Sequence, residues 1–213
     1  MEIEFISRFN LVSDIWEYCF TKPQALYYDP GDYVELGIAG IDSRWLSMSS
    51  SPTEDVLKFT IKIKPPLSDF KSTLASLKPK EVVYISPAIG NFNLPRQNKQ
   101  ILFIALGLGI TPYRSMLQSP EIKAFDDISL LYVAKPNEHI YESEINTSLI
   151  KYIKHQARFA SKDLLELVPD YTKRIIYLSG PEGACIKLFN ELIDHGIERH
   201  QIKLEYFTGY DKI

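Results

Sequence analysis

Apolar and polar residues alternate along the first third of the chain. In EIEFISRF (residues 2–9) the period is two, and in DIWEYCF Trp16, Tyr18 and Phe20 fall on one side of an extended chain with Glu17 and Cys19 on the other. DYVELGI, VLKFTIKIK and EVVYIS follow in the same manner. Alternation of this kind predicts half-buried strands. Turn formers separate the runs: Asp29-Pro30-Gly31, Ser51-Pro52 and Lys64-Pro65-Pro66. Several short strands at this spacing predict a small antiparallel barrel or sandwich.

The rhythm changes after residue 100. QILFIAL is a continuous apolar run, as suits a strand buried on both faces. PYRSMLQS then reads as helix, ISLLYVA as strand, NTSLIKYIKHQ as helix, RIIYLSG as strand, GACIKLFNELIDHG as helix and IKLEYFT as strand. Strands alternating with helices predict a parallel sheet with crossovers. The boundary falls in LPRQNKQ (94–100), dividing the chain into residues 1–97 and 98–213.

Composition narrows the classes. With 213 residues, 45% hydrophobic and 24% charged, the chain is an ordinary globular one, long enough for one large domain or two small ones. A net charge of −3 argues against nucleic acid as the main partner. No apolar run reaches the length of a membrane span. The acidic, alternating start MEIEFISRFN is no signal peptide, and the only cysteines, Cys19 and Cys185, are far apart. Together these predict a reducing, cytoplasmic location without a disulfide framework. The four histidines form no ligand pattern with the cysteines, so no metal site is expected.

Three short motifs carry candidate chemistry. In ALGLGITP a buried strand runs into Gly107 and Gly109, with Thr111 and Pro112 at the start of a helix. Such a turn lets backbone approach a ligand, and a helix N-terminus favours a phosphate; an ordinary strand–helix turn uses the same residues. In RWLSMSSSP (44–52), Arg44 suits a phosphate clamp and Ser47, Ser49, Ser50 and Ser51 are hydrogen-bonding groups; a serine-rich hairpin is the alternative. In LSGPEGAC (178–185) a strand ends in Ser179-Gly180-Pro181 before a helix. Ligands sit beyond the carboxyl ends of parallel strands, so the tips after Ala105 and Leu178 are expected to face one crevice, unless this too is a plain turn.

The order of these motifs along nearly the whole chain resembles the ferredoxin–NADP reductase family. The resemblance implies an N-terminal antiparallel, Greek-key type β-barrel that binds a flavin and a C-terminal α/β parallel-sheet domain that binds NAD(P)H. Arg44-Trp45-Leu46-Ser47 stands where the family has Arg-x-Tyr/Phe-Ser, which implies that Arg44 holds the flavin phosphate, that Trp45 and Leu46 flank the flavin, and that Ser47 approaches its reactive ring nitrogen. Leu46 replaces the stacking aromatic. LSDFKSTL (67–74) is similar to the helix start that meets the flavin phosphate, implying roles for Ser68, Phe70 and Lys71. SPAIGNFNLP (86–95) resembles the segment that ends the barrel, with Phe92 in the core. In the nucleotide domain Leu106 replaces the first glycine, whereas Gly107, Gly109, Thr111 and Pro112 match; Thr111 is implied to contact the pyrophosphate. Ser179-Gly180-Pro181 matches Cys-Gly-Pro near the nicotinamide, with Ser179 in the cysteine's place. At the C-terminus Glu205, Phe207 and Tyr210 are the implied glutamate and aromatics near the flavin.

The implied function is a flavin-dependent NAD(P)H oxidoreductase passing electrons to a separate acceptor such as ferredoxin, flavodoxin or another redox partner. The implied cofactor is FAD, with FMN the alternative, and Ser47, Ser179, Glu205 and Phe207 are the implied catalytic group. The departures at Leu46, Leu106 and Ser179 leave a second reading open, a non-catalytic flavin- or nucleotide-binding module or a subunit of a larger assembly. Lys58, Lys62 and Lys64 fall on one face of a strand, with Lys71, Lys78 and Lys80 following. That face is either a solvated strand or a landing place for an acidic redox protein. VAKPNEH, with Lys135 its only cation, leaves NADH and NADPH undecided.

Overall fold

Six antiparallel strands form the first lobe of the computed structural model, which describes residues 1–96, 99–156 and 159–207. They are β1 (Glu2–Val12), β2 (Ile15–Thr21), β3 (Tyr33–Ile38), β4 (Ile41–Ser47), β5 (Val56–Lys62) and β6 (Val82–Ile85), in the order β4-β3-β6-β1-β2-β5. Five of them send alternate apolar side chains into one core: Phe5 from β1, Phe20 from β2, Leu36 from β3, Phe59 from β5 and Val83 from β6. Leu46 of β4 packs against that core, as do Phe70 and Leu74 of α1 (Asp69–Ser76) within it. The edge strands β4 and β5 meet beyond their ladders, where the Ser49 N–H donates to the Lys58 carbonyl at 2.9 Å.

The second lobe is a five-stranded parallel sheet in the order β11-β10-β7-β8-β9. Its strands are β7 (Ile101–Leu106), β8 (Ile128–Ala134), β9 (Ile150–Gln156), β10 (Ile175–Pro181) and β11 (Ile202–Phe207). Helix α2 (Ile110–Leu117) covers one face, and α3 (Ser161–Leu167) and α4 (Glu182–Asp194) cover the other. This explains the unbroken apolar run of β7: Phe103 and Ala105 pack toward α2, Leu102 and Ile104 toward α3 and α4. Phe92 is buried as expected, but in the second core, its ring 5.8 Å from Tyr113 and 5.2 Å from Tyr177.

Three elements differ from expectation. NTSLIKYIKHQ is not a helix; residues Ile150–Gln156 are the edge strand β9. Leu149, Ile150, Tyr152 and Ile153 match a helical stripe and a strand equally well, and pairing with β8 decided between them. The segment bearing Arg44 is a strand whose alternation is masked because Arg44 and Trp45 are both exposed. Glu17 and Cys19, expected on an open face of β2, are buried, because that face packs against the second lobe.

Candidate active site

A cleft of about 940 Å³ opens between the lobes. Its walls come from β4, β5 and the start of α1 on one side, and from the turn after β7 and the end of β11 on the other. Arg44, Trp45, Leu46, Ser47, Ser68, Phe70, Lys71, Thr111, Glu205 and Phe207 all line it, so ten residues singled out in the sequence converge.

One end is cationic. The Arg44 guanidinium lies 5.7 Å from the Phe70 ring centre and donates to the Ser43 carbonyl at 2.7 Å. Ser68 caps α1 by accepting the Lys71 N–H at 3.4 Å, so the first turn of the helix faces the cleft. Burial, followed by the neighbouring charges of Arg44 and Lys62, pulls the Lys71 ammonium below its ordinary pKa, against the opposing pull of Asp14. Two cations beside a helix N-terminus form an anion-binding end.

The other end joins the lobes. Ser47 Oγ donates to Glu205 Oε1 at 2.7 Å, from β4 to β11. Burial raises the Glu205 carboxyl to about 7; the Ser47 hydrogen bond opposes the rise and Asp32 adds to it. The chain thus places a group that both gives and takes a proton near neutral pH beside a hydroxyl. Trp45 stands half-exposed at the rim, edge-on to Tyr33 with ring centres 5.5 Å apart.

At the centre of the parallel sheet β7 has β8 on one side and β10 on the other, and the chain reverses its direction of winding there. Open α/β sheets bind ligands at this point. Gly107 has φ +58° with open space where a side chain would project. Gly109 was expected to leave room for a phosphate. Instead, a Cβ there would strike the backbone of Ser179 and Gly180, and one on Gly180 would strike Leu106. These two glycines lock the tips of β7 and β10 together, which is a packing reason for both. Thr111 is buried at the helix start, and its Oγ1 donates to the Leu108 carbonyl at 3.0 Å. Pro112 lies inside α2. Gly107, Gly109, Pro112, Ser179, Gly180 and Pro181 surround these tips without lining the cleft. Ser179 is fully buried and its hydroxyl has no partner among the described residues. Tyr210 lies outside the described residues.

Two other expectations change. Ser49, Ser50 and Ser51 are buried and tie the β4–β5 turn to its surroundings, with Ser50 Oγ accepting the Lys58 N–H at 3.1 Å, so only Ser47 of the serine run reaches the cleft. Two of the three lysines on the β5 face are paired: Lys58 with Glu54 at 2.9 Å, and Lys62 with Asp14 at 3.2 Å and Glu138 at 3.1 Å, while Lys64 is exposed. Sequence reasoning missed the groups that join the lobes, above all Arg114 and Tyr141, because each reads in isolation as an ordinary helix or loop residue.

The chain is similar to a crystallised ferredoxin NADP+ reductase from Neisseria gonorrhoeae with bound FAD and NADP, with a TM-score of 0.85, 18% identity, and coverage of 97% of this chain and 98% of the other. The chain has the ferredoxin–NADP reductase fold. The two-lobe fold that the resemblance implied is borne out. A flavohemoprotein of Candida albicans is 27% identical over 207 residues, covering 85% of this chain and 49% of that protein. An NADPH oxidoreductase of Mycobacterium tuberculosis is 28% identical over 176 residues, covering 73% and 46%. The chain therefore spans about half the length of the curated relatives it matches. No family model matches it. No helix among the described residues is long and apolar enough to cross a membrane.

Proposed function

We propose that this ferredoxin–NADP reductase-like chain is a flavin-dependent NAD(P)H oxidoreductase, with residues 1–97 as its flavin lobe and 98–213 as its nucleotide lobe. The observation that carries the reading is the Ser47–Glu205 hydrogen bond at one end of a cleft whose other end holds Arg44 and Lys71. A flavin needs both: cations for its phosphate and a polar pair at the edge of its ring. The residues present fit the group, and FAD is the better choice over FMN because the solved neighbour of almost equal length carries FAD and NADP. When bound, the flavin supplies the redox chemistry, taking a hydride from NAD(P)H and giving up electrons one at a time.

The chain's own part is binding, orientation and proton control. Arg44, Lys71 and the free N–H groups opening α1 neutralise phosphate. Trp45 and Leu46 would cover a bound ring by dispersion, and Ser47 would hydrogen-bond its edge. Glu205 Oε1 accepts the hydrogen bond from the Ser47 hydroxyl, and the carboxyl exchanges its own proton near pH 7. Across the cleft, Gly107 and Thr111 at the start of α2 would receive the nucleotide's pyrophosphate and Phe207 would border the nicotinamide, with Ser179 buried behind the strand tips and out of contact with it. The acceptor in this reading is a one-electron carrier of the ferredoxin or flavodoxin type, possessing no landing place on Lys58 and Lys62, which are already paired. Cys19 and Cys185, both buried free thiols, suit a reducing compartment such as the cytoplasm.

The test is the visible spectrum of the purified protein, titrated with FAD, FMN, NADH and NADPH without oxygen. Yellow protein bleached by one nucleotide is the expected result. Flavin bound but never bleached would favour the non-catalytic module, and no flavin bound under any condition would sink the reading. Arg44→Ala should weaken flavin binding by about 1.5–3 kcal/mol, the value of a charge-assisted phosphate contact.

A further inference from the structure

Arg114 lies on α2 three residues beyond Thr111, on the same face of the helix, and is only 4% exposed. Its guanidinium is engaged from two sides. Nη1 and Nη2 donate to Glu54 at 2.9 and 3.2 Å, while Nη2 and Nε donate to Glu144 at 2.7 and 3.4 Å. Nη1 also donates to the Ser49 carbonyl at 2.7 Å, and the guanidinium carbon sits 5.0 Å from the centre of the Tyr141 ring. Glu54 and Ser49 belong to the β4–β5 turn of the first lobe, whereas Glu144 and Tyr141 belong to the connection after β8 in the second. Next along the helix, Ser115 Oγ donates to the Ser50 carbonyl at 2.7 Å.

Tyr141 adds an independent observation. Its backbone is left-handed, φ 64° and ψ 12°, an uncommon state for a bulky residue. Its hydroxyl donates to Glu17 Oε2 at 2.9 Å and is hydrogen-bonded to Thr60 Oγ1. A costly backbone state persists only where its surroundings over-determine it, and here they come from both lobes. The joint ends on a cleft-lining residue on each side, Thr60 on β5 and Thr111 on α2.

We propose that Arg114, clasped by Glu54 and Glu144 over the Tyr141 ring, is a positioning residue that sets the distance between the Ser47 wall and the Thr111 wall of the cleft. The proposal rests on the oxidoreductase reading above. A planar fork bound twice in bidentate fashion admits one orientation, which a flexible point charge does not. Two rings bound on opposite walls react only when the walls hold them in register, and a shift of about 1 Å can cost on the order of 100-fold in rate.

Arg114→Lys keeps the charge and removes the fork. The expected variant binds flavin within about twofold of the wild-type affinity and NAD(P)H within about threefold. At saturating nucleotide its flavin is reduced at least about tenfold more slowly in single turnover. Amide hydrogen exchange should quicken in residues 49–54, 110–117 and 141–145, the three segments that the clasp joins, and not elsewhere. Wild-type reduction with unchanged exchange overturns the proposal, as does a loss of flavin affinity as large as the loss of rate, which marks general damage. If Arg114→Lys does not fold, Glu144→Gln weakens one side of the clasp and Tyr141→Leu removes the ring beneath it; slowed reduction with intact flavin binding supports the proposal, and wild-type rates in both overturn it. If the wild-type protein binds no flavin, the functional reading fails by itself, and the exchange comparison still decides whether Arg114 fixes the joint.

Discussion

Glu205 shows what one buried carboxyl does to a protein's response to pH. Its pKa is raised in the fold to about 7, so between its unfolded value near 4.5 and that point the folded state holds a proton the unfolded state has lost. Its contribution to stability is therefore fully present below about pH 4.5 and is lost as pH rises through about 7. Glu205→Gln should flatten the fall in unfolding free energy between pH 5 and 8, by on the order of 2–3 kcal/mol in urea titrations. Ser47→Ala removes the hydrogen bond that restrains the shift, and the carboxyl titration followed by NMR should move further up. Ser179 is the opposite case, an uncharged hydroxyl buried without a partner. Ser179→Ala should raise stability by about 1 kcal/mol or more, since an unsatisfied buried polar group costs about 1–3 kcal/mol.

At the scale of elements, the tips of β7 and β10 are interlocked, and the two glycines of the turn play different parts. Gly109→Ala forces a methyl group into the Ser179 backbone and should cost about 1–3 kcal/mol through overpacking. Gly107→Ala meets open space and should cost only the left-handed backbone penalty of about 1–2 kcal/mol, while lowering nucleotide affinity. Denaturant unfolding with nucleotide titration separates the two. The sequence pattern was legible where one period dominates: β7 and β8 as continuous apolar runs, α4 as a long amphipathic helix, and Ser68 as a cap. It misled at β9, where helix and strand periods coincide over Leu149–Ile153 and only the neighbouring strand decides. The cleft was legible at Arg44 and Ser47, which stand together in one short window. Lys71 and Glu205 were found by resemblance, not by pattern. Arg114 was invisible because its meaning comes from Glu54 and Glu144, 60 and 30 residues away.

The whole molecule depends on charges shared between lobes. Burial pushes the Glu54 carboxyl up, but hydrogen bonds from Arg114, Lys58 and the Ser51 N–H outweigh it and hold the group at about 2. A depressed carboxyl stabilises the fold above its unfolded pKa, and that stabilisation is lost as pH falls from about 4.5 through about 2. Glu54→Gln should lose stability at pH 7, where breaking one side of a buried pair costs about 3–5 kcal/mol, and should approach the wild type at pH 2–3. Unfolding followed at both pH values checks the convergence. Because Arg114, Tyr141 and Lys62 bridge the lobes, both should unfold in one transition in the wild type, and Glu54→Gln should begin to separate them.

Trp45 has a practical consequence. Of the two tryptophans, Trp16 packs against the core of the first lobe, while Trp45 stands half-exposed on the wall of the cleft. Indole emission overlaps the absorption of an isoalloxazine, so in the flavin-binding reading a flavin seated in the cleft should quench Trp45 and its release should restore the emission. That would give an optical gauge of occupancy, readable without turnover, whose amplitude Trp45→Phe should reduce.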